Sequence, residues 1–244
     1  MKKLSDKVLI GKIYESNSYG VFKIVSIINT KKVTVEFLDT GFRKTTTLCC
    51  IRAGKVKDPF YPYFYGRGYL GTELPVDKKV YSIWKGILRR CYSSENSPRH
   101  KSYEKVEVCK DWCSYLEFAK WYSSQKCAYM QGFDIDKDIM SHNCAEKEYS
   151  PRFCRLVPKK LNALFIKNNS NDGSGCYQYK KGSYYVQSSR NNKSVYLGKA
   201  ASKQYAIRLY KNFQKSVMEE ELNKYKKVLD EDVFYKIKEV YSIS

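Results

Sequence analysis

Two hydrophobic periods run along the chain, and the places where one gives way to the other mark its parts. Val21 to Ile27 and Val33 to Leu38 are β-branched and aromatic runs of strand length, joined through the turn residues Asn29-Thr30-Lys31-Lys32. Asp39-Thr40-Gly41 is a second turn, and Phe42 to Ile51 reads as a third strand, so residues 1–58 predict a small β module of barrel type. Residues 59–75, PFYPYFYGRGYLGTELP, keep no period and read as a linker whose rings either pack over the neighbouring domain or stack on bases, with Arg67 on a phosphate. From residue 80 the period turns helical. Trp84, Ile87, Leu88 and Cys91 form one stripe, with Lys85, Arg89 and Arg90 off it and able to face phosphates. A second stripe, Trp112, Tyr115, Leu116, Phe118, Ala119 and Tyr122, predicts another helix with Asp111 as its N-cap.

The period changes again at Gly132. Phe133, Ile135 and Ile139 alternate with Asp134, Asp136 and Asp138, which predicts a half-buried strand with its carboxylates on the wet face. A polar loop, the turn Tyr149-Ser150-Pro151 and a second short strand, Phe153 to Val157, follow. Pro158 suits the first turn of a helix that carries Lys159, Lys160, Asn162 and Lys167. The whole is a ββα unit. After the break at residues 168–175, three short strands are expected: Cys176 to Lys180, Ser183 to Arg190, and Val195 to Leu197, ended by Gly198. Ser202 caps a helix with the stripe Ala206, Leu209, Tyr210, Phe213 and Val217. A last helix after Asp230 has Val233, Phe234, Ile237 and Tyr241 on one face, for core packing.

Charge narrows the partner. The net charge is +20 over 244 residues. Residues 1–75 carry thirteen cations against six carboxylates (+7), residues 76–172 eighteen against twelve (+6), and residues 173–244 fourteen against seven (+7). So even a spread favours a body that meets a long polyanion along its length. No apolar window of membrane-spanning length occurs, and MKKLSDKVLIG is interrupted by Asp6 and Lys7, unlike a signal peptide. Nine cysteines point to free thiols in a reducing cytoplasm, and without a CxxC pair zinc is not expected. Gly66-x-Gly68 lacks the continuation of a phosphate-cradling loop.

The stretch GFDIDKDIMSHNCAEKEYSPRFCRLVPKKLNAL resembles the ββα centre of phage HNH, or His-Me finger, endonuclease-like proteins. WKGILRRCY and VEVCKDWCSYLEFAKWY resemble the segment that precedes that centre, and VEFLDTGF with AGKVKDP is similar to an SH3-like N-terminal module found on such proteins. Three strands and a helix, with YLGKAASKQYAIRLYKNF at the join, resemble the ethylene-response-factor (APETALA-type) DNA-binding domain. The resemblance implies an α+β chain in four parts: 1–58 an SH3-like module, 59–75 a linker, 76–167 an HNH-like domain, and 173–244 a DNA-binding domain plus a final helix. It places Asp136 and Asn162 as ligands of one Mg²⁺ and puts Lys137 where the general-base histidine stands. An ammonium is a poor base near neutral pH.

Two functions of different class follow. One is a double-stranded DNA-binding protein of phage type whose nuclease centre is degenerate. The other is a metal-dependent endonuclease, with Asp138 or His142 orienting the water that Lys137 cannot activate. A basic inhibitor or decoy of a nucleic-acid enzyme is a third, with no positive feature behind it. Lys159 and Lys160 would meet backbone phosphates. On the C-terminal sheet the exposed candidates are Tyr177, Tyr179, Lys181, Tyr185, Gln187, Arg190, Lys193 and Tyr196. The expected partner is duplex DNA, with no membrane, at the nucleoid in the cytoplasm of a host cell.

Overall fold

The computed structural model describes residues 10–93, 103, 105–169, 176–180, 182–190 and 193–243, without the side chains of residues 166–169 and Tyr179. It is a mixed α+β chain that divides into two compact units, Met1–Tyr122 and Ser123–Ser244.

The first unit opens with an antiparallel meander, β1 (Ile13–Glu15), β2 (Val21–Asn29), β3 (Lys32–Phe37) and β4 (Arg43–Thr46), paired in that order. Alternation does what the sequence pattern requires: Phe22, Ile24, Val33, Val35 and Phe37 turn inward to meet Leu48, Ile51 and Val56. The third predicted strand is half a strand. β4 stops at Thr46, and Thr47 caps a short helix, α1 (Leu48–Arg52), by accepting from the Cys50 amide at 3.2 Å. A threonine ahead of the apolar run thus overrode its β propensity. Strand β1, three residues long, is too short to show a period in the sequence.

The 59–75 segment is packed rather than extended. Tyr63 stacks on Tyr19 at 5.2 Å, Phe60 meets Phe42 at 5.3 Å, and Phe64 sets its edge on Trp84 at 5.1 Å. Gly68 passes so close to the helix α2 (Lys78–Tyr92) that an added Cβ would lie 2.2 Å from the Leu88 side chain. Asp77 caps that helix, and Val80, Trp84, Ile87 and Leu88 are its buried stripe. Strand β5 (Val106–Val108) precedes a 3₁₀ turn at Asp111–Cys113 and helix α3 (Tyr115–Ser124). Asp111 therefore opens the 3₁₀ turn and is not the helix cap; the Glu117 amide instead donates to Ser114 Oγ at 3.4 Å. The Trp84 indole donates to the Trp112 carbonyl at 2.8 Å, which satisfies a buried N–H.

The second unit holds the ββα motif. Strand β6 (Phe133–Asp136) pairs antiparallel with β8 (Arg155–Pro158), and helix α4 (Lys159–Asn169) follows at once; β7 (Lys147–Tyr149) lies in the loop between. Pro158 is the last strand residue, opposite Phe133, rather than the first of the helix. Strands β9 (Cys176–Lys180), β10 (Ser183–Arg190) and β11 (Lys193–Ala200) form an antiparallel sheet with β10 central. Gly198 does not end it. At the step from Val186–Gly198 to Gln187–Tyr196, Leu197 is the extra residue of a bulge, and Gly198 takes a φ of 124° there. Ser202 caps α5 (Lys203–Lys224), and α6 (Glu231–Tyr241) closes the chain.

Apolar packing ties the described residues of this unit together at two places. Val186, Ala200, Ala206 and Tyr210 seal the sheet to the first half of α5. Ile139, Val157, Leu161 and Phe165 of the ββα motif share the other with Met218 and Leu222 of α5 and Val233 and Ile237 of α6. The expected apolar face of α6 is thus in a core, and that core also belongs to the ββα motif.

Candidate nucleic-acid interface and ββα centre

β6 ends at Asp136 because the chain turns there. Asp136 Oδ2 accepts the Ile139 amide at 2.9 Å, an Asx-type cap that draws the carboxylate inward, so the expected wet-face position is corrected. Only Asp134 of the strand's carboxylates is exposed. Asp136 is 4% exposed. Burial pushes its carboxyl up to about 6 and Asp138 adds to the rise, while the Ile139 amide and Lys137 oppose it.

Lys137 is also buried, at 6% exposure. Its Nζ lies 2.7 Å from Asp138 Oδ1 and 5.7 Å from the centre of the Tyr149 ring, and Ser141 Oγ donates to its carbonyl at 2.7 Å. Lys147 Nζ stands 3.7 Å from the same oxygen of Asp138. A fixed cation therefore occupies the position that the resemblance gives to the base. His142, the other candidate, is half-buried and set edge-on to Phe165 at 5.6 Å, against the core. Asn162, on the first turn of α4, has its Oδ1 buried with no hydrogen-bond partner among the described residues. Among those residues no group of three His, Cys, Asp or Glu is placed to hold a metal. Asp136 and Asn162 are nonetheless hard oxygen donors of the kind Mg²⁺ takes, and that ion commonly uses one or two carboxylates with water and substrate phosphate.

The α4 lysines are engaged. Lys159 Nζ is 3.7 Å from Asp134, and Lys160 Nζ is 2.8 Å from Glu221, a side chain only 6% exposed that Lys224 also meets at 3.0 Å. Burial works to raise the Glu221 carboxyl, but hydrogen bonds from Lys160 and Lys224 outweigh it and hold the group below its ordinary range. On α2, Lys85 and Arg89 are exposed and Arg90 is half-buried.

The register of the C-terminal sheet sorts the remaining candidates. Tyr177 and Lys199 flank Tyr185, and Tyr196 stands opposite Gln187, so these side chains share the face away from α5. Tyr177 and Tyr185 stack at 5.0 Å with planes 20° apart. Tyr177 and Tyr196 are 46% and 61% exposed. Gln187 Nε2 donates to Ser194 Oγ across the strands. Arg190 and its partner Lys193 have the other parity, the helix side, where Arg190 forms an ion pair with Glu220. Their expected place on the exposed face is thus corrected. Lys181 and the side chains of Tyr179 and Lys167 lie outside the described residues.

One charge feature escapes a count by thirds. Between Asp172 and Glu219 there is no carboxylate, while nine Lys or Arg fall there. The acids that balance the third toward +7 cluster at Glu219, Glu220 and Glu221 and at Asp230 and α6. Lys199, on the outer face by register, was also missed; its parity with Tyr185 is masked by the bulge. Comparison of the chain with family models, with curated proteins and with solved structures returns no match. Among the described residues no helix is long and apolar enough to cross a membrane.

Proposed function

We propose that the chain binds double-stranded DNA and belongs with the phage HNH homing-endonuclease type, its nuclease centre degenerate. The observation that carries the binding is the C-terminal sheet. One face is sealed by a helix and the other shows tyrosines and a glutamine, in a carboxylate-free stretch of nine cations. A two- or three-stranded ribbon fits a major groove about 12 Å wide. Lys85 and Arg89 add exposed cations on α2 for backbone phosphates, and the N-terminal meander is read as an SH3-like positioning module. Lys137 supports a silent centre, because its buried ammonium is tied to Asp138 and offers no lone pair to take a proton.

A second reading, an active endonuclease, draws on Asn162 Oδ1, a buried acceptor with no partner among the described residues, and on Asp136, whose charge is poorly solvated. Both would be satisfied by a divalent cation. When bound, Mg²⁺ would supply Lewis-acid stabilisation of phosphate charge; Asp136 and Asn162 would hold it, and Asp138 would orient a water.

Incubation of the full chain with supercoiled plasmid and Mg²⁺ or Mn²⁺, with and without chelator, separates the two. Retarded but uncut plasmid is the expected result. Chelator-sensitive nicking that disappears in Asp136→Ala would make the chain an endonuclease.

A further inference from the structure

We infer that the exposed face of the three-stranded sheet selects A·T-rich duplex through the major groove, with Gln187 reading adenine and Tyr177, Tyr185 and Tyr196 lying against thymine methyls. This rests on the duplex-binding reading above and goes beyond it to the sequence class.

The residue types decide it. In the major groove guanine offers two acceptors, which arginine or lysine reads, and cytosine offers a donor, which a carboxylate reads. By register the outer face carries no arginine and no carboxylate among the described residues, and Lys199 is a lysine it places there. The sheet's one arginine, Arg190, is turned to the helix side and held by Glu220, and no carboxylate occurs from residue 173 to residue 218. Adenine offers an acceptor beside a donor, the pattern a carboxamide matches with two bonds. Gln187 lies on the outer face of the central strand, and its Nε2 bond to Ser194 fixes the amide while leaving Oε1 and one N–H to face a base.

The tyrosines complete the pair. Thymine alone carries a methyl group in the groove, and it is read by apolar contact. Tyr185 stands two residues from Gln187 on the same strand and stacks on Tyr177 of the neighbouring strand, so the pair presents ring edges beside the amide, and Tyr196 stands directly opposite Gln187. A glutamine for adenine beside rings for its partner thymine is a matched set. Lys199, next to Tyr185 on the same face, is a compact point charge suited to a phosphate, which adds affinity without sequence preference.

The test uses the full chain and fluorescence anisotropy at one fixed salt concentration. Duplexes of equal length are compared: A·T-rich, G·C-rich, A·T-rich with uracil replacing thymine, and A·T-rich with 7-deazaadenine replacing adenine; single strands serve as a fifth probe. The A·T-rich duplex is expected to bind about tenfold or more tightly than the G·C-rich one, and each base analogue to lower affinity about fivefold or more. Gln187→Ala should abolish the 7-deazaadenine effect and keep the uracil effect. Lys199→Ala should weaken both duplexes alike; a loss confined to the G·C-rich duplex would overturn the assignment. So would equal affinity for the two duplexes, an A·T preference indifferent to both analogues, or tighter binding of single strands. Because the analogues alter only the DNA, the result does not depend on a variant folding. Failure to bind any duplex would instead overturn duplex binding itself.

Discussion

Lys137 Nζ and Asp138 Oδ1 stand 2.7 Å apart, an ion pair between sequence neighbours in which the lysine is buried and the aspartate about one-third exposed. Deleting the lysine charge leaves an aspartate that water and Lys147 can still reach, so the loss falls short of that for a wholly buried pair. Lys137→Met, which keeps the stem volume, should lower stability by about 1–2 kcal/mol. Lys137→Ala adds a cavity and should cost about 2–4 kcal/mol. Urea unfolding midpoints check both, and an unchanged midpoint in both would show that the pair contributes nothing.

The same position decides chemistry. With Lys137 in place, plasmid nicking is expected to be absent. Lys137→His puts an imidazole beside Asp136 and should confer slow, metal-dependent nicking, which Asp136→Ala in the same chain removes. Nicking by the natural chain equal to that of the variant would mean the lysine is no defect.

Asp136 makes a pH-dependent prediction. Its folded pKa, about 6, lies above the ordinary value of 3.8, so between those pH values the folded state holds a proton that the unfolded state has lost. Stability from this group is therefore greatest below pH 4, declines through the window and stays low above pH 6. Asp136→Asn keeps an acceptor for the Ile139 amide and removes the buried charge. It should stabilise the chain by about 2–3 kcal/mol at pH 7, with the difference vanishing near pH 4. Chemical denaturation of both chains across pH 4–8 measures it; a constant difference would rule out ionisation as the cause.

Gly68 tests the packing of the aromatic segment. A methyl group there meets Leu88 at 2.2 Å and Trp84 at 3.1 Å, both on the buried stripe of α2. Gly68→Ala should destabilise the first unit by about 1–3 kcal/mol. Gly66, with nothing within 4 Å of its added Cβ but a φ of 68°, should lose less than that on the same change. Tryptophan fluorescence during thermal unfolding compares the two.

Salt reports on the partner. If about 6–10 phosphates are neutralised, affinity for duplex DNA should fall by roughly 10³–10⁵ between 50 and 200 mM salt. A nearly flat titration would mean that the excess of cations does not serve a polyanion.

What the sequence showed and hid divides by the range of the forces involved. Strands β2, β3, β9 and β10, helix α2 and the cap Ser202 follow from local patterns, since alternation, stripes and capping act within a turn or a few residues. The hidden parts depend on distant partners. Asp136 looked exposed by parity, yet the strand ended under it and the Ile139 amide drew it in. Strand parity alone sets Arg190 on the face opposite Gln187, but its tie to Glu220, thirty residues on, has no local signal. That Asn162 Oδ1 has no partner among the described residues is visible only once the packing around it is known.

The core that Ile139, Val157, Leu161 and Phe165 share with Met218, Leu222, Val233 and Ile237 bears on how such a chain can be inherited. A small sheet joined by a tether could be traded between genes as a cassette. Here the far end of helix α5 is the wall against which the ββα motif rests, so a crossover near residue 173 would strip both halves of apolar cover at once. Any recombinant that survives must carry the motif and the sheet together, and drift in one half must be answered in the other. The stretch that looks most dispensable, the last helix, is for this reason among those least free to change.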